Sequence, residues 1–494
     1  MSIEINAGAG SFSAFIDPSI MRYDKEREAL FHKFREKISV NTVLDRSMVS
    51  YQANKGIPFY SWFKYKEGFS EALVNYLLQR FEPGILLDPF SGTGSALFAA
   101  SALGWQTQGI ELLPVGIYAT KVRCIAEHID KQELRRTITD MLQVNFADHY
   151  NPLFALKHIA ITNGAFSVEE EKQLIGFISY CHEAITQDDM RELLLFGAFC
   201  ILEEISYTRK DGQYLRWDTR SGRSQGEIPF DKGRIIPFRE AIEGKLKQIQ
   251  ADVENQYTQK SLFEDFAPER KLSKFPELYA GSCLDTLSNI SKDSIDVILT
   301  SPPYANRYDY TRTYALELVF LGCGEEQVKN LRQEMLSCTV ENKSKRDKLE
   351  SFYHEMGREI EFDLIEKVFY QQKALQEVLA LLHMYHSEGK LNNPGIVTLV
   401  HNYFYEMCFV IYELTRVLKP NGTILMVNDN VRYAGEEIPV DLILSDMAES
   451  FGLTVKHIWT LNRGKGNSSQ QMGKHGRTEL RKCVYVWEKR FTQE

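Results

Sequence analysis

Predicted strands alternate with helix-like stretches along much of the chain. The strands, most of them short apolar runs, lie at 85–87, 106–111, 277–282, 294–299 and 423–429. Stretches with a helical spacing of apolar residues include 71–80, 95–103 and 402–418. Two later segments, 453–461 and 482–487, predict a final antiparallel pair of strands. This alternation predicts an α/β fold.

Two mainly helical insertions interrupt the predicted sheet. The first spans 123–275, the second spans 324–394, and a helical extension occupies 1–53. The remaining segments are 54–122, 276–323 and 395–494, and we expect them to form one discontinuous domain. With 494 residues the chain exceeds one ordinary hydrophobic core, so two or three domains are expected.

The predicted strand at 294–299 is followed by a stiff loop with two consecutive prolines. The loop reads Thr300-Ser301-Pro302-Pro303-Tyr304. Each proline fixes its own φ, and neither has an N–H, so carbonyl oxygens point outward at a strand end where open α/β sheets bind ligands. Rigid acceptors beside an aromatic ring could hold a planar ring that carries an amino group. The plain alternative is a proline turn that caps a core strand.

A glycine turn follows the predicted strand at 85–87. It reads Asp88-Pro89-Phe90-Ser91-Gly92-Thr93-Gly94 and leads into the helix-like stretch 95–103. Gly92 and Gly94 would let the backbone approach a ligand closely, which a Cβ would obstruct. The turn is too short for a Walker loop and lacks Gly-Lys-Ser/Thr, which argues against a nucleoside triphosphate. Glu111 ends the next strand, roughly 20 residues on, where an acid that binds ribose hydroxyls is expected.

With these two motifs, D-P-F-S-G-T-G and T-S-P-P-Y, the chain resembles the S-adenosylmethionine-dependent DNA methyltransferases that modify exocyclic amino groups. Their targets are N4 of cytosine or N6 of adenine. The resemblance covers about 54–122 and 276–490. It implies a Rossmann-like class I methyltransferase fold with a seven-stranded, mostly parallel sheet between helices. It also implies S-adenosyl-L-methionine as the cofactor.

The resemblance assigns roles to residues of both motifs. Ser301, Pro302, Pro303 and Tyr304 would form the catalytic loop, in which the Ser301 hydroxyl and the Pro302 carbonyl accept the amine protons and Tyr304 stacks on the base. The residues expected to bind the methyl donor are Lys64, Phe69, Ser70, Asp88, Pro89, Phe90, Gly92, Thr93, Gly94, Glu111 and Asp285.

Two of these donor-binding assignments rest on a weaker resemblance to the family. The segment Lys64 to Ser70 is similar to one that covers the methionine end of the donor in the family, but an aromatic-rich lead-in to a helix that starts after a Ser70 cap would read the same way. Many relatives have Gly-Asp where this chain has Gly281-Ser282-Cys283. The contact to the donor's adenine is therefore assigned to Asp285, the nearest acid.

Contacts to DNA must come from local basic segments, because the formal net charge is −9. The segment 207–224 is rich in arginine interleaved with Tyr and Trp, and it also predicts a hairpin around Asp211-Gly212. The candidate DNA-binding residues are Arg209, Arg216, Arg220, Arg307 and Arg312. The charged run 341–348 is interpreted as a solvated loop, with contact to DNA as the alternative, and the glycine-rich basic segment 463–477 as a loop near the active edge.

Cysteine usage and hydropathy narrow the class of protein. The eight cysteines are scattered without a C-x-x-C pair, and the histidines are not clustered, so neither a structural zinc nor a disulfide framework is expected. The chain has no apolar run of the length of a membrane span, and its first residues lack the features of a signal peptide. We therefore expect a cytoplasmic protein with no metal and no membrane partner.

The sequence predicts a site-specific DNA methyltransferase that acts on cytosine N4 in duplex DNA by flipping the base, as the modification enzyme of a restriction–modification or related defence system. Double-stranded DNA is the expected partner, and a cognate restriction endonuclease is a candidate partner. Family usage favours S-P-P-Y for cytosine and D-P-P-Y for adenine, with exceptions, so adenine N6 remains an alternative. An RNA N2-guanine methyltransferase and a non-catalytic DNA-binding subunit are further alternatives.

Overall fold

The structure is a computed structural model that describes residues 24–211, 215–223, 229–255, 274–461 and 480–490. Residues 1–23 of the predicted extension, the tip of the predicted hairpin and the predicted loop at 463–477 lie outside the described residues. Within the described ranges, no helix combines the length and the apolar composition needed to cross a membrane.

The described strands are β1 (Ile38–Asn41), β2 (Ile85–Asp88), β3 (Gln106–Glu111), β4 (Thr208–Lys210), β5 (Leu215–Trp217), β6 (Glu277–Ala280), β7 (Ile295–Thr300), β8 (Leu418–Asp429), β9 (Val431–Tyr433), β10 (Glu436–Ile438), β11 (Leu453–Leu461) and β12 (Lys482–Lys489). The described α-helices are α1 (Lys25–Phe34), α2 (Glu71–Leu78), α3 (Ser95–Ala102), α4 (Pro114–Ala126), α5 (Lys131–Met141), α6 (Val168–Ala184), α7 (Asp188–Ile205), α8 (Phe238–Asn255), α9 (Cys283–Thr286), α10 (Tyr310–Thr313), α11 (Ala315–Phe320), α12 (Glu325–Glu334), α13 (Arg346–Glu355), α14 (Glu359–Gln371), α15 (Lys373–Ser387), α16 (Ile396–Val417) and α17 (Val440–Ser450).

Eight of the described strands form one sheet, in the order β1-β11-β12-β8-β7-β2-β3-β6. Neighbouring strands are parallel, except that β12 is antiparallel to both β11 and β8. The predicted α/β class, the mostly parallel sheet and the final antiparallel pair are therefore confirmed.

The sheet has one strand more than the predicted seven. The additional strand is β1, which lies within the segment interpreted as a helical extension and pairs in parallel with β11 from Ile38 to Asn41. Its inner residues are exposed, and Val40 is 56% exposed, so no alternation of apolar and polar residues marks it. The pairing at the sheet edge, rather than a sequence pattern, defines this strand.

Alternate residues of the central strands pack into two cores, as the period of two in a strand requires. Val297 and Leu299 of β7 join the core formed with α2 and α3. Ile298, between them, joins the opposite core, which contains α16 and α17. A separate cluster of buried residues joins the helices α5 to α8 with α4 and α11. The sheet is thus covered on both faces, and its strand ends remain as the place for a ligand.

The register of the central strands is fixed at their amino ends. Ile295 pairs with Leu418 whereas Val297 pairs with Thr423, so the residues 419–422 bulge out of β8. Asp296 accepts a hydrogen bond from the Ile85 N–H at 2.8 Å and pairs with Lys419 at 2.7 Å. These contacts hold β2, β7 and β8 in a fixed relation to one another.

The charged run 341–348 is only in part the solvated loop that we predicted, because most of its residues are exposed but Asn342 and Lys345 are buried. Lys345 is 7% exposed and lies 2.9 Å from the fully buried carboxylate of Glu406 on α16. The same carboxylate accepts hydrogen bonds from the Ser337 N–H, at 2.7 Å, and from its hydroxyl. The run looked solvated because its buried partner lies far away in the sequence.

We predict that Lys345→Ala destabilises the protein by about 3 kcal/mol, because it leaves a buried carboxylate without its cation. Thermal and denaturant unfolding of the variant would measure this. Lys343→Ala, which removes an exposed side chain of the same segment, is the matched control and should change stability by less than about 0.5 kcal/mol. Equal effects of the two substitutions would contradict the prediction.

Candidate active site

The glycine turn and the proline loop follow two neighbouring parallel strands, β2 and β7. Thr300, the last residue of β7, donates its hydroxyl to Asp88 Oδ1, at the end of β2, over 2.8 Å. Both residues are buried, and Asp88 Oδ1 also accepts the N–H of Phe90 at 3.1 Å. The two motifs identified in the sequence, more than two hundred residues apart, are therefore joined directly.

Glu111 holds the glycine turn from the other side. It ends β3, and its carboxylate accepts the N–H of Gly92 at 2.7 Å and the N–H of Leu113 at 2.7 Å. Gly92 and Gly94 both have positive φ, at 54° and 75°. A Cβ at Gly92 would lie 2.8 Å from the ring of Tyr65, so glycine is required there by conformation and by space.

Burial raises the pKa of three carboxyl groups of this region, those of Glu67, Asp88 and Glu111. Burial raises the pKa of Asp88 to about 7, although the Thr300 hydroxyl and the Phe90 N–H partly offset it. Burial likewise raises the pKa of Glu111 to about 7, against the opposing effect of its backbone N–H donors. A cation bound nearby would favour the ionised form of these groups.

A cleft opens along these strand ends. The residues that line it after β3 and β6 are Ile110, Glu111, Leu112, Leu113, Gly281, Ser282 and Cys283. The other lining residues are Tyr65, Glu67, Pro89, Phe90, Ser301, Pro303, Tyr310, Met335 and Leu336. Because the sheet order is β7-β2-β3-β6, Ser301 and Pro303 lie towards one end of the cleft and Gly281 to Cys283 towards the other.

The proline loop is held in place by contacts on both sides. Ser301 donates its hydroxyl to the Tyr304 hydroxyl at 3.2 Å, and Tyr433 donates to the Ala305 carbonyl at 2.6 Å. Tyr304 is half-buried, and burial raises its pKa above the ordinary value. The Lys482 ammonium lies 5.9 Å from the centre of the Tyr304 ring. Pro302 is buried, whereas Ser301 and Pro303 contribute to the cleft wall.

The structure brings some of the predicted donor residues to the cleft. Pro89, Phe90 and Glu111 line it, and the glycine turn with Asp88, Gly92 and Gly94 is bonded to Glu111 and Thr300 as described above. Thr93 lines a different, aromatic-rich cavity that also contains Arg123.

Four other predicted donor residues are engaged elsewhere. Lys64 pairs with Glu203 at 3.2 Å, and Phe69 packs in the core with α2 and α3. Ser70 caps α2, accepting the Leu73 N–H at 3.1 Å, as its position before a helix indicates. Asp285 pairs with Lys348 at 2.7 Å. None of the four is among the described residues that line the cleft.

Sequence reasoning missed two residues of the segment 64–70 that do line the cleft, Tyr65 and Glu67. Tyr65 stacks on Tyr314 with ring centres 5.0 Å apart, and Tyr314 donates its hydroxyl to Glu67. The segment has no helical or strand period, so nothing in the sequence shows which of its side chains face the cleft. The contact to the donor's adenine was assigned to Asp285, but the residues of this turn that line the cleft are Ser282 and Cys283.

The candidate DNA-binding residues differ in their surroundings. The predicted hairpin is present as β4 and β5, in which Arg209 pairs opposite Arg216. Both guanidinium groups lie near the Phe230 ring, at 5.5 and 4.2 Å from its centre. The hairpin thus brings these two arginines together on one face.

The other three candidates contact polar side chains of the protein. Arg220 makes two hydrogen bonds to the buried carboxylate of Asp218, at 2.7 and 2.8 Å. Arg312 contacts Glu341 at 2.9 Å and Asp309 at 3.2 Å. Arg307 has a positive φ of 66° and reaches Asn392 at 3.4 Å.

The titratable side chains of the described ranges contain no cluster of three or more His, Cys, Asp or Glu residues that could hold a metal ion. All eight cysteines are free thiols, and six of them are buried.

Comparison with known proteins identifies relatives over nearly the whole chain. Type II methyltransferase M.AvaI of Nostoc sp. strain PCC 7120, and the protein of the same name from Anabaena variabilis, are each 44% identical to this chain over 493 residues, which is 99% of this chain and 98% of theirs. Type II methyltransferase M.BsoBI of Geobacillus stearothermophilus is 39% identical over 483 residues, 94% of this chain and 92% of its own.

No protein-family profile matches the chain, and neither does any solved structure. The full-length similarity to curated enzymes nevertheless confirms the resemblance drawn from the two motifs. The chain belongs to the type II methyltransferases of restriction–modification systems, and its D-P-F-S-G-T-G and T-S-P-P-Y motifs make it one of those that methylate amino groups of DNA.

Proposed function

We propose that this DNA methyltransferase transfers the methyl group of S-adenosyl-L-methionine to the exocyclic N4 amine of cytosine in duplex DNA. The observation that carries the proposal is the bond from Thr300 to Asp88, because it places Ser301 and the glycine turn beside one cleft. The cleft lies at the strand ends, where open α/β sheets bind ligands, and its two carboxylates suit a ligand that carries positive charge and ribose hydroxyls.

The methyl donor supplies an electrophilic methyl group on a sulfonium, which is already a good leaving group. The protein's contribution is therefore alignment and electrostatics. Glu111 is positioned to accept hydrogen bonds from the ribose hydroxyls. The apolar side chains Ile110, Leu112 and Leu113, together with the turn at Gly281, would enclose the adenine ring.

The proline loop would hold the target base. The Ser301 hydroxyl and the Pro302 carbonyl accept the two amine protons, which draws the nitrogen lone pair out of the ring and towards the methyl group. Flipping the nucleotide costs a few kcal/mol, and stacking on the Tyr304 ring, worth ~1–3 kcal/mol, would offset part of it. A neutral hydroxyl at position 301, rather than an aspartate, supports cytosine as the base.

The type II names of the relatives support two further proposals for this chain. A restriction endonuclease with the same recognition sequence would be its cellular counterpart, and the protein would act in the cytoplasm, where bacterial DNA lies. The reaction proposed for the site depends neither on this endonuclease nor on the location of the protein.

One experiment tests the reaction. The protein is incubated with DNA and S-adenosylmethionine labelled in its methyl group, the DNA is digested, and the modified nucleoside is identified. N4-methylcytosine is expected, and N6-methyladenine would overturn the assignment of the base. Donor binding without transfer to any DNA would favour a non-catalytic subunit, and transfer to guanine in RNA would favour an RNA enzyme.

We predict that Tyr304→Ala weakens catalysis far more than Tyr304→Phe, because the ring and not the hydroxyl stacks on the flipped base. Loss of the ring should cost ~1–3 kcal/mol, seen as a rise in KM for DNA or a fall in kcat/KM of about 10- to 100-fold. The matched Tyr304→Phe variant removes only the acceptor of the Ser301 hydroxyl. If the two variants were equally impaired, stacking would not be the role of Tyr304.

The raised pKa values of Asp88 and Glu111 predict a pH dependence of stability. Both carboxyl groups ionise near pH 4 in the unfolded chain but near pH 7 in the folded protein, which therefore holds more protons between these values. Their contribution to stability is present below about pH 4 and is lost as the pH rises through about 7.

Glu111→Gln removes one of the two titrations. Raising the pH from 5 to 8 should therefore destabilise the wild type more than Glu111→Gln, by roughly 2–3 kcal/mol. Melting temperatures of both proteins over this pH range would measure the difference. S-adenosylmethionine should reduce the pH dependence of the wild type, because a cation favours the ionised carboxylates. A pH-independent difference would show that Glu111 does not have a raised pKa.

We predict that the double variant Arg209→Ala/Arg216→Ala binds DNA more weakly and with a smaller salt dependence, by about one to two in the slope of log K against log salt. Two exposed cations of α5 and α8, Arg135 and Lys247, provide a charge-matched double-alanine control that should leave this slope unchanged. Arg220→Ala should instead lower the melting temperature, since it unpairs the buried Asp218 carboxylate. Unchanged DNA binding by the first variant would mark the hairpin as a plain surface feature.

A further inference from the structure

The charged side chains that line the cleft are acidic. Of the described residues that line it, two carry carboxylates, Glu67 and Glu111, and none is a lysine, an arginine or a histidine. Asp88 lies directly behind the wall. Glu111 already has a role at the ribose, and Asp88 is bonded to Thr300, whereas Glu67 has no role in the reaction as described so far.

Glu67 lies at the Ser301 end of the cleft. Its Oε2 accepts the hydroxyl of Tyr314, a residue that follows the proline loop in sequence and is fully buried. Burial raises the pKa of Tyr304, in the proline loop, and the charge of Glu67 raises it further. Glu67 is therefore near the catalytic loop.

The Glu67 carboxylate is held rigidly. The Tyr314 hydroxyl accepts the Lys66 N–H at 3.3 Å while it donates to Glu67, and the Tyr314 ring is stacked on Tyr65. The neighbouring cation does not neutralise this carboxylate directly, because the Lys66 ammonium donates to the Lys210 carbonyl at 2.6 Å. An acid fixed by a tyrosine and left facing a cleft is suited to a cationic ligand.

The groups that would bind at the two ends of the cleft define where the positive charge of the donor would lie. With the ribose at Glu111 and the target amine at Ser301, the methyl group must lie between them, on the Ser301 side. The sulfonium that carries it must lie there too. Of the carboxylates that line the cleft, Glu67 is the one on that side.

We propose that Glu67 is a donor-binding residue whose carboxylate faces the sulfonium and selects the cationic donor over the neutral product. This inference rests on the proposed function. During transfer the C–S bond breaks with its electron pair left on sulfur, the amine lone pair forms the C–N bond, and the amine proton leaves to solvent. The thioether that remains has lost the charge that Glu67 attracts, so the product is held less tightly than the donor and can leave.

The test is a comparison of binding constants by calorimetry for S-adenosylmethionine, S-adenosylhomocysteine and sinefungin, a cationic amine analogue of the donor. In Glu67→Gln the amide oxygen can still accept the Tyr314 hydroxyl. We expect its preference for the two cationic ligands over S-adenosylhomocysteine to fall about tenfold, with the affinity for S-adenosylhomocysteine changed less than twofold. Glu67→Ala should show the same loss of preference, and Glu67→Asp should retain most of it.

Glu203→Gln is the matched control, because Glu203 pairs with Lys64 and is not among the described residues of the cleft wall. It should leave the preference unchanged. An unchanged preference in folded Glu67→Gln or Glu67→Ala, or an equal loss of affinity for all three ligands, would overturn the proposal. A wild-type protein that binds none of the three would instead refute the proposed donor, a different outcome from the failure of Glu67 alone.

Discussion

The hydrogen bond from Thr300 to Asp88 is the contact on which the site depends. It joins the carboxyl ends of β7 and β2, and both partners are buried, so its loss would leave a buried acceptor with only the Phe90 N–H. At the opposite end of the same strands, Asp296 binds the Ile85 N–H and Lys419. With both ends of the pair fixed, the glycine turn and the proline loop cannot slide past one another, and their ligands meet at a fixed spacing.

The sequence could predict those parts of the site in which the residue type itself dictates the geometry. Two prolines stiffen the loop after β7, and positive φ at Gly92 and Gly94 needs glycine, so the chemistry of each motif is local. It could not predict contacts that a distant partner decides. Lys345 looked solvated until Glu406 was placed beside it, and β1 is a strand because β11 offers its edge. The role of Arg220 is likewise decided by its buried partner.

The segment 64–70 shows the same division within a few residues. Its resemblance to the family segment that covers the methionine end of the donor predicted a place at the donor site, and the side chains chosen as donor contacts were those that match that segment. In the structure Ser70 serves α2 as a cap, Lys64 reaches Glu203, and Tyr65 and Glu67 line the cleft. An irregular segment has no repeating spacing of apolar residues, so its sequence does not show which side chains face inward. Here that face is set by Tyr314, which contacts both Tyr65 and Glu67.

The acidic cleft and the basic hairpin answer the question that the net charge of −9 raises for a protein acting on DNA. The charged side chains that line the cleft, where we propose that the positively charged donor binds, are both acidic, and the candidate cations for phosphate lie on β4 and β5. The two regions are in contact. Lys210 of β4 forms a buried ion pair with Glu317 of α11, and its backbone carbonyl accepts a hydrogen bond from the Lys66 ammonium. Glu67 follows Lys66 directly. The strand that would contact DNA is thus hydrogen-bonded directly to the segment that carries the carboxylate proposed to face the donor.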